Sequence, residues 1–274
     1  MSLEDKILTT GITDQGLVRD HNEDSISCDA ELGLLVLADG MGGHKGGEIA
    51  SAIAIDTILK ELRKELPEII TGNIDDRTGY SLESMAVETA IKTANTNIFE
   101  ASNSNIKYEG MGTTIVVLLF YNNRITVAHV GDSRLYRMRD KTLEQLTRDH
   151  TLLQELMDRG FYTKKEARES LNKNLITRAV GVNVTVDVDL LEETALPGDL
   201  FLLCSDGLTD MITDDLIEDI QLNYKDDLQK MNMELIKQAK EHGGKDNVSA
   251  MLAQVIKEFP ANPAWFSRIV NLFS

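Results

Sequence analysis

The chain has 274 residues with 28 basic and 45 acidic side chains, a formal charge of −17 at pH 7. That surplus of acid excludes duplex nucleic acid, whose binders displace counterions with a basic face, and it repels an anionic lipid leaflet. With 42% hydrophobic residues, 19 Gly and 4 Pro, the composition is that of a globular chain long enough to bury a sizeable core.

In chain order, Gly33-Leu34-Leu35-Val36-Leu37-Ala38 is apolar throughout, the pattern of a strand covered on both faces, and it is expected to stop at Asp39-Gly40. From Gly47 to Leu66 the apolar positions Ala50, Ile53, Ala54, Ile58, Leu62 and Leu66 recur at helical spacing before Pro67. A second helix is expected from near Ser81, with Ser81 as its cap. Residues 111–147 read as an antiparallel meander: Thr113 to Tyr121, a turn at Asn122-Asn123, Ile125 to Val130, a turn at Gly131-Asp132-Ser133, then Leu135 to Met138. Val184, Val186, Val188 and Leu190 alternate with polar residues and predict a half-buried strand. After a turn at Pro197-Gly198-Asp199 come the apolar strand Leu200 to Cys204, helices around Thr213 to Ile220 and Asp227 to His242, and a closing strand Val248 to Val255.

No Pro/Gly/Ser-rich linker divides the chain, so residues 1–255 are expected to form a single α+β domain. The apolar runs Leu32 to Ala38 and Ile115 to Tyr121 are seven residues each, against roughly 20 for a membrane span. The start Met1-Ser2-Leu3-Glu4-Asp5-Lys6 lacks the basic and apolar parts of a secretion signal. A cytoplasmic protein is therefore expected. Cys28 and Cys204 form no CxxC pair and predict reduced thiols packed as small apolar groups.

Two stretches share one grammar: Leu34 to Gly40 and Phe201 to Gly207 each end an apolar strand in Asp-Gly. Each places a carboxylate at a strand end, with a glycine carbonyl beside it, and such oxygens suit a hard cation. Asp-Gly is equally an ordinary turn. Glu23-Asp24, Asp132 and Asp246 add acids in turn settings, a set that favours magnesium or manganese over zinc. Among so many acids several fall in turns by chance, so only longer motifs decide.

Those motifs are Arg19-Asp20-His21-Asn22-Glu23-Asp24, Ala38-Asp39-Gly40-Met41-Gly42-Gly43-His44, Gly110-Met111-Gly112-Thr113-Thr114, Val130-Gly131-Asp132-Ser133-Arg134, Cys204-Ser205-Asp206-Gly207-Leu208 and Lys245-Asp246-Asn247-Val248. In kind and order they resemble the bacterial members of the PPM family, the type 2C metal-dependent serine/threonine protein phosphatases. The resemblance runs from about residue 10 to about residue 255. It implies a central antiparallel β-sandwich flanked by helices on both sides, a four-layer αββα fold, with the metal site where strand ends and loops converge.

By motif match, Asp39 resembles the carboxylate bridging two Mn2+ or Mg2+ ions, Gly40 offers its carbonyl, and Asp206 and Asp246 complete the pair. Glu23 and Asp24 hold bound waters or sit as near ligands. Asp132 resembles the residue that, with Asp206, holds a weaker third ion, and Arg19 matches the arginine that grips the substrate phosphate. The implied reaction is hydrolysis of phosphoserine and phosphothreonine in proteins by a water activated between the ions, opposing a bacterial Ser/Thr kinase. Many eukaryotic members carry a histidine directly after this Asp-Gly as proposed general acid, and here that place is Met41, whose thioether has no proton to give. His44, His21 or a water on a third ion are the remaining candidates, and for both histidines an ordinary structural role is an alternative.

Residues 147–175 are similar to the family's variable flap. The basic side chains Lys164, Lys165 and Arg168 there fit either acidic phosphopeptides or a plain solvated helix face. The tail, residues 256–274, lies beyond the resemblance and is expected to be an amphipathic helix docked on the domain, with membrane contact or a partner helix as alternatives. A cysteine-dependent phosphatase would need Cys-x5-Arg, but the sixth residue after Cys28 is Leu34 and after Cys204 is Asp210. A non-catalytic binding or sensing relative would have lost metal ligands, and these motifs are intact.

Overall fold

A strand without a wet face must sit inside a layered structure. The computed structural model, which describes residues 3, 5–43, 45–104, 106–163, 166 and 175–260, places two sheets back to back. One runs in spatial order β1 (Ile7–Asp14), β11 (Val248–Val255), β10 (Leu200–Cys204), β7 (Arg134–Arg139) and β8 (Thr142–Gln145). The other runs β2 (Asp24–Asp29), β3 (Leu34–Met41), β5 (Ile115–Tyr121), β6 (Arg124–Val130) and β9 (Asp189–Thr194), with β4 (Gly112–Thr113) extending the end of β3. All these pairings are antiparallel.

Alternation along each strand sends side chains to two different cores. From β3, Leu34, Val36 and Ala38 face Ile58 and Leu62 of α1 (Gly46–Glu65) and Ile91 and Ile98 of α2 (Leu82–Ser104). Leu35 and Leu37 instead meet Phe201, Leu203 and Met251 of the opposite sheet. The outer face of that sheet, with Leu202 and Leu252, is covered by Leu208 of α4 (Asp206–Thr209), Ile217 of α5 (Asp214–Asn223) and Leu235 of α6 (Leu228–Glu241). The result is the expected αββα order. Between the sheets Phe120 and Phe201 meet edge to face at 5.6 Å, a contact worth about 1 kcal/mol beyond its burial.

Several sequence expectations need correction. β3 does not stop at Asp39-Gly40 but continues to Met41, because β4 supplies partners: Gly40 faces Thr113 and Met41 faces Gly112. The alternating run from Val184 is not a strand until Asp189. Asn95 of α2 donates its amide to the carbonyls of Asn183 (3.0 Å) and Val184 (3.2 Å), removing them from any ladder. Strands β1, β2 and β8 lack the long apolar runs that announce the others. Ser81 caps α2 as expected, accepting from the Ser84 N–H at 3.1 Å. Both thiols are free, but only Cys204 is buried; Cys28 is exposed, with Sγ 3.2 Å from the Thr9 hydroxyl. Of the tail 256–274, residues 256–260 are described and form no helix, with Phe259 packed on Phe120; the rest of that expectation falls outside the described residues.

Gly207 marks the tightest approach behind the strand ends: a Cβ there would lie 1.9 Å from the Asn247 carbonyl oxygen. Gly207→Ala must therefore push β10 and β11 apart at their ends. We expect a loss of about 2 kcal/mol or more, read as a fall of several degrees in the thermal midpoint; an unchanged midpoint would contradict the packing.

Candidate metal centre

Pairing β2 with β3 and β10 with β11 brings four remote segments to one end of the sandwich. Asp24 lies opposite Asp39 across the first pair. The Asp39 carbonyl accepts from the Thr114 N–H and the Thr113 hydroxyl, both at 2.8 Å, while its own N–H donates to Thr114 Oγ1 at 3.1 Å. That backbone is fixed whatever the carboxylate does. Asp24 Oδ2 accepts the hydroxyls of Ser249 (2.6 Å) and Ser205 (2.9 Å). Its Oδ1 is buried with no hydrogen-bond partner, as are Glu23 Oε1 and Asp132 Oδ1.

The start of α1 presses against the same place. A Cβ on Gly40 would sit 2.1 Å from the Gly47 carbonyl oxygen and 2.6 Å from that of Glu23, and one on Gly47 would sit 2.8 Å from Glu23 Cδ. The glycines thus let the helix N-terminus come close to the Glu23 carboxylate, where the Gly47 N–H opposes the rise of its pKa. Positive partial charge at a helix start suits an acid there.

Burial and mutual repulsion dominate the electrostatics. Burial first, then Asp24, Asp206, Asp132 and Asp246, hold Asp39 well above the ordinary carboxylate range. Asp206 is raised in the same way, by burial and by Asp132, Asp210, Asp246 and Asp24. Burial lifts Asp24 to about 6 and Asp132 to about 7, and it raises Glu23 as well. Buried carboxylates with unpartnered oxygens are costly unless a cation compensates them. An all-oxygen donor set is what magnesium or manganese takes, so the residues fit such ions.

The sequence candidates Arg19, Glu23, Asp24, Asp39, Gly40, Asp132, Asp206 and Asp246 therefore come together. Arg19 lies at the rim, its Nη2 donating to Asp246 Oδ2 at 2.6 Å. This bond, helped by Glu23 and Asp206, raises the guanidinium further above its already high pKa. His21 is exposed beside the centre; His44 lies outside the described residues.

The sequence reading assigned no role to Asn247, although the structure makes it a three-way staple. Its Oδ1 accepts the Glu23 N–H at 2.8 Å, and its Nδ2 donates to the carbonyls of Gln15 and His21, both at 2.9 Å. Asp149 was likewise missed. It accepts a fork from Arg134, Nε at 3.0 Å and Nη2 at 2.6 Å, two residues after Asp132 in the chain. Side-chain amides that tie loops leave no periodic signal, so only their place beside the acids marks them. A cavity of about 330 Å³ opens beside Asp132 and Asp206, walled by Leu153, Gln154 and Met157 of α3 (Leu152–Asp158) and by residues 209–214.

Comparison with known proteins agrees with this fold. The family model described as "Protein phosphatase 2C" matches residues 16–255. The chain belongs to the protein phosphatase 2C family. Among curated relatives of this family, the serine/threonine phosphatase stp of Listeria welshimeri is 35% identical over 245 residues, covering 88% of this chain and 93% of that protein. The serine/threonine protein phosphatase PstP of Mycobacterium tuberculosis is 38% identical over 245 residues, 89% of this chain but 44% of that longer protein. Among solved 2C phosphatases, the crystal structure of Mycobacterium tuberculosis PstP superposes with a TM-score of 0.82 at 36% identity, covering 92% of this chain and 100% of that one. The catalytic domain of PstP in complex with two manganese ions gives a TM-score of 0.79 at 36% identity, with coverages of 92% and 99%.

Proposed function

We propose that the protein hydrolyses phosphoserine and phosphothreonine in proteins with the help of bound divalent cations, opposing a Ser/Thr kinase in a bacterial cytoplasm. The observation that carries this reading is the set Asp24 and Asp132, both buried, with half-buried Asp39 and Asp206, whose mutual repulsion raises their pKa values; Asp132 and Asp206 open on a cavity, and Arg19 binds Asp246 nearby. Asp39, the Gly40 carbonyl, Asp206 and Asp246 would hold two ions, manganese or magnesium. Glu23 and Asp24 would orient waters, and Asp132 with Asp206 would hold a weaker third ion. Bound ions supply a water of lowered pKa and neutralise charge on the phosphate.

The chain supplies position. Arg19 offers a planar fork that stays protonated and can grip two phosphate oxygens at once. Met41 cannot protonate the departing serine or threonine oxygen. That proton must come from water, from His21 or from His44. Residues 147–175 would act as the flap, with α3 forming one wall of the cavity that receives the chain flanking the phosphoresidue.

The test is release of phosphate from phosphothreonine and phosphoserine peptides with manganese, and its abolition by a chelator. Arg19→Ala is expected to lower kcat/KM about 10- to 100-fold, roughly 1.4 to 2.7 kcal/mol, with Arg19→Lys in between because an ammonium cannot reproduce the fork. Equal activity in all three proteins would remove Arg19 from the phosphate site. Manganese-independent turnover would remove the whole reading.

A further inference from the structure

Outside the acidic centre, the group His129, His150 and Asp189 stands out because ligand-capable atoms of all three lie within 4.8 Å of one another. It is not built for a cation. The two imidazoles stack with centroids 4.7 Å apart and planes 18° apart, so their lone pairs, which lie in the ring planes, run side by side and do not converge. Arg178 already occupies the space, its Nη1 3.2 Å from His150 Nε2 and bonded to Asp189 Oδ1.

The contacts of His150 lead elsewhere. Its N–H donates to the Gly131 carbonyl at 2.9 Å, and its Nδ1 accepts the Gly131 N–H at 3.0 Å. One residue therefore holds the polar groups of Gly131 on both sides. An Nδ1 that accepts leaves the ring proton on Nε2, facing Asp189 Oδ2 at 3.2 Å. Burial, His129 and Arg178 press the ring toward its neutral form, lowering its pKa to about 4. The turn it grips has little slack: Gly131 has φ +107°, and a Cβ there would lie 2.6 Å from the Thr114 side chain. The residue after Gly131 is Asp132. The His150 carbonyl meanwhile accepts the Thr177 N–H at 2.8 Å, and Leu152 N–H donates to Leu175 O at 2.9 Å, closing both ends of the 147–175 segment on one point.

We propose that His150 is a positioning residue for the Asp132 carboxylate, clamping the Gly131 turn and fastening it to the base of the flap segment. The proposal rests on the reading of Asp132 as a ligand of the weaker ion. Partners that orient a metal ligand commonly change affinity 10- to 100-fold when removed. Only the ion held by Asp132 should feel this one.

The experiment counts manganese ions and their affinities by calorimetry and by the electron paramagnetic resonance signal of free Mn2+, on the full chain. The proteins are the parent, Asp132→Asn, His150→Phe, His150→Asn and Asp189→Ala, each with its thermal midpoint. Asp132→Asn should lose the weakest ion. His150→Phe, which removes the acceptor for Gly131, should weaken that same ion about 10-fold or more and leave the tighter pair unchanged. His150→Asn should recover most of the affinity, since its Oδ1 falls near the place of Nδ1 and accepts the same N–H. Asp189→Ala, at a half-exposed position, should weaken the ion more mildly and covers the case in which His150→Phe does not fold. If Asp132→Asn keeps every ion, the reading of Asp132 fails and the proposal with it. If Asp132→Asn loses the ion while the His150 and Asp189 variants bind it as the parent does, or His150→Asn is no better than His150→Phe, the proposal alone is overturned.

Discussion

Asp39→Asn is expected to lower the rate of phosphopeptide hydrolysis at least about 1000-fold, roughly 4 kcal/mol of transition-state stabilisation, while leaving the metal-free protein as stable as the parent or more so. The two halves share one cause. Asp39 sits opposite Asp24 in the ladder, and Asp24, Asp206, Asp132 and Asp246 all push its pKa upward. An amide removes one member of that repulsion without disturbing the Thr113 and Thr114 bonds, which use only the backbone of Asp39. The same change removes the carboxylate proposed to bridge two ions. The checks are turnover in manganese and thermal midpoints with and without the ion. Near-parental turnover, or a manganese-induced rise in midpoint equal to that of the parent, would contradict the assignment of Asp39.

The second large effect is an inversion of pH dependence on metal loading. An acid whose folded pKa lies above its unfolded value stabilises the fold in its protonated form. For Asp24, raised from 3.8 to about 6, and Asp132, raised from 3.8 to about 7, that contribution is complete below about pH 4 and is lost as pH climbs through 6 and 7. The metal-free protein should therefore gain stability on acidification from pH 8 to 5.5. At 1.36 kcal/mol per pKa unit the gain is of the order of 2 kcal/mol, several degrees at this chain length.

With manganese present the sign reverses. Ions at 100 times their Kd add about 2.7 kcal/mol per site, but they need the carboxylates ionised, so protons displace them. The midpoint of the loaded protein should fall over the same range, and the two curves should approach each other near pH 5.5. Parallel curves would mean that these acids do not hold the ions.

How much of this was legible in the sequence depends on what kind of signal each element leaves. β3 as far as Ala38, β5 and β10 are covered on both faces, so their residues there are apolar without interruption and the runs stand out. β1 and β2 mix threonine, serine and aspartate with apolar residues because their edges border solvent and the site, and no run marks them. The misplaced start of β9 has a specific source: Asn95, on α2, captures the carbonyls of Asn183 and Val184, a bond across the fold that alternation cannot reveal. At the centre, Asp-Gly after an apolar strand pointed to Asp39 and Asp206, while ordered motifs were needed for Arg19, Glu23, Asp24, Asp132 and Asp246. Asn247 and His150 act by tying backbone to backbone. Their partners are Gln15, His21 and Glu23 in one case and Gly131 in the other, and only the folded chain shows them.

The last strand among the described residues joins the first to the rest of its sheet: β11 pairs on one side with β1 and on the other with β10, so Ile7 finds Val255 across the ladder. During synthesis β1 must wait, unpaired, until residues 248–255 have been made, and such distant pairing makes for slow folding. A nascent or truncated product ending before Val248 lacks Asp246 only if it stops two residues sooner, yet in either case it leaves both neighbouring edges open to aggregation. A chain that stops short of Val248 therefore cannot close the ladder that sets Asp206 beside the Asp246 turn.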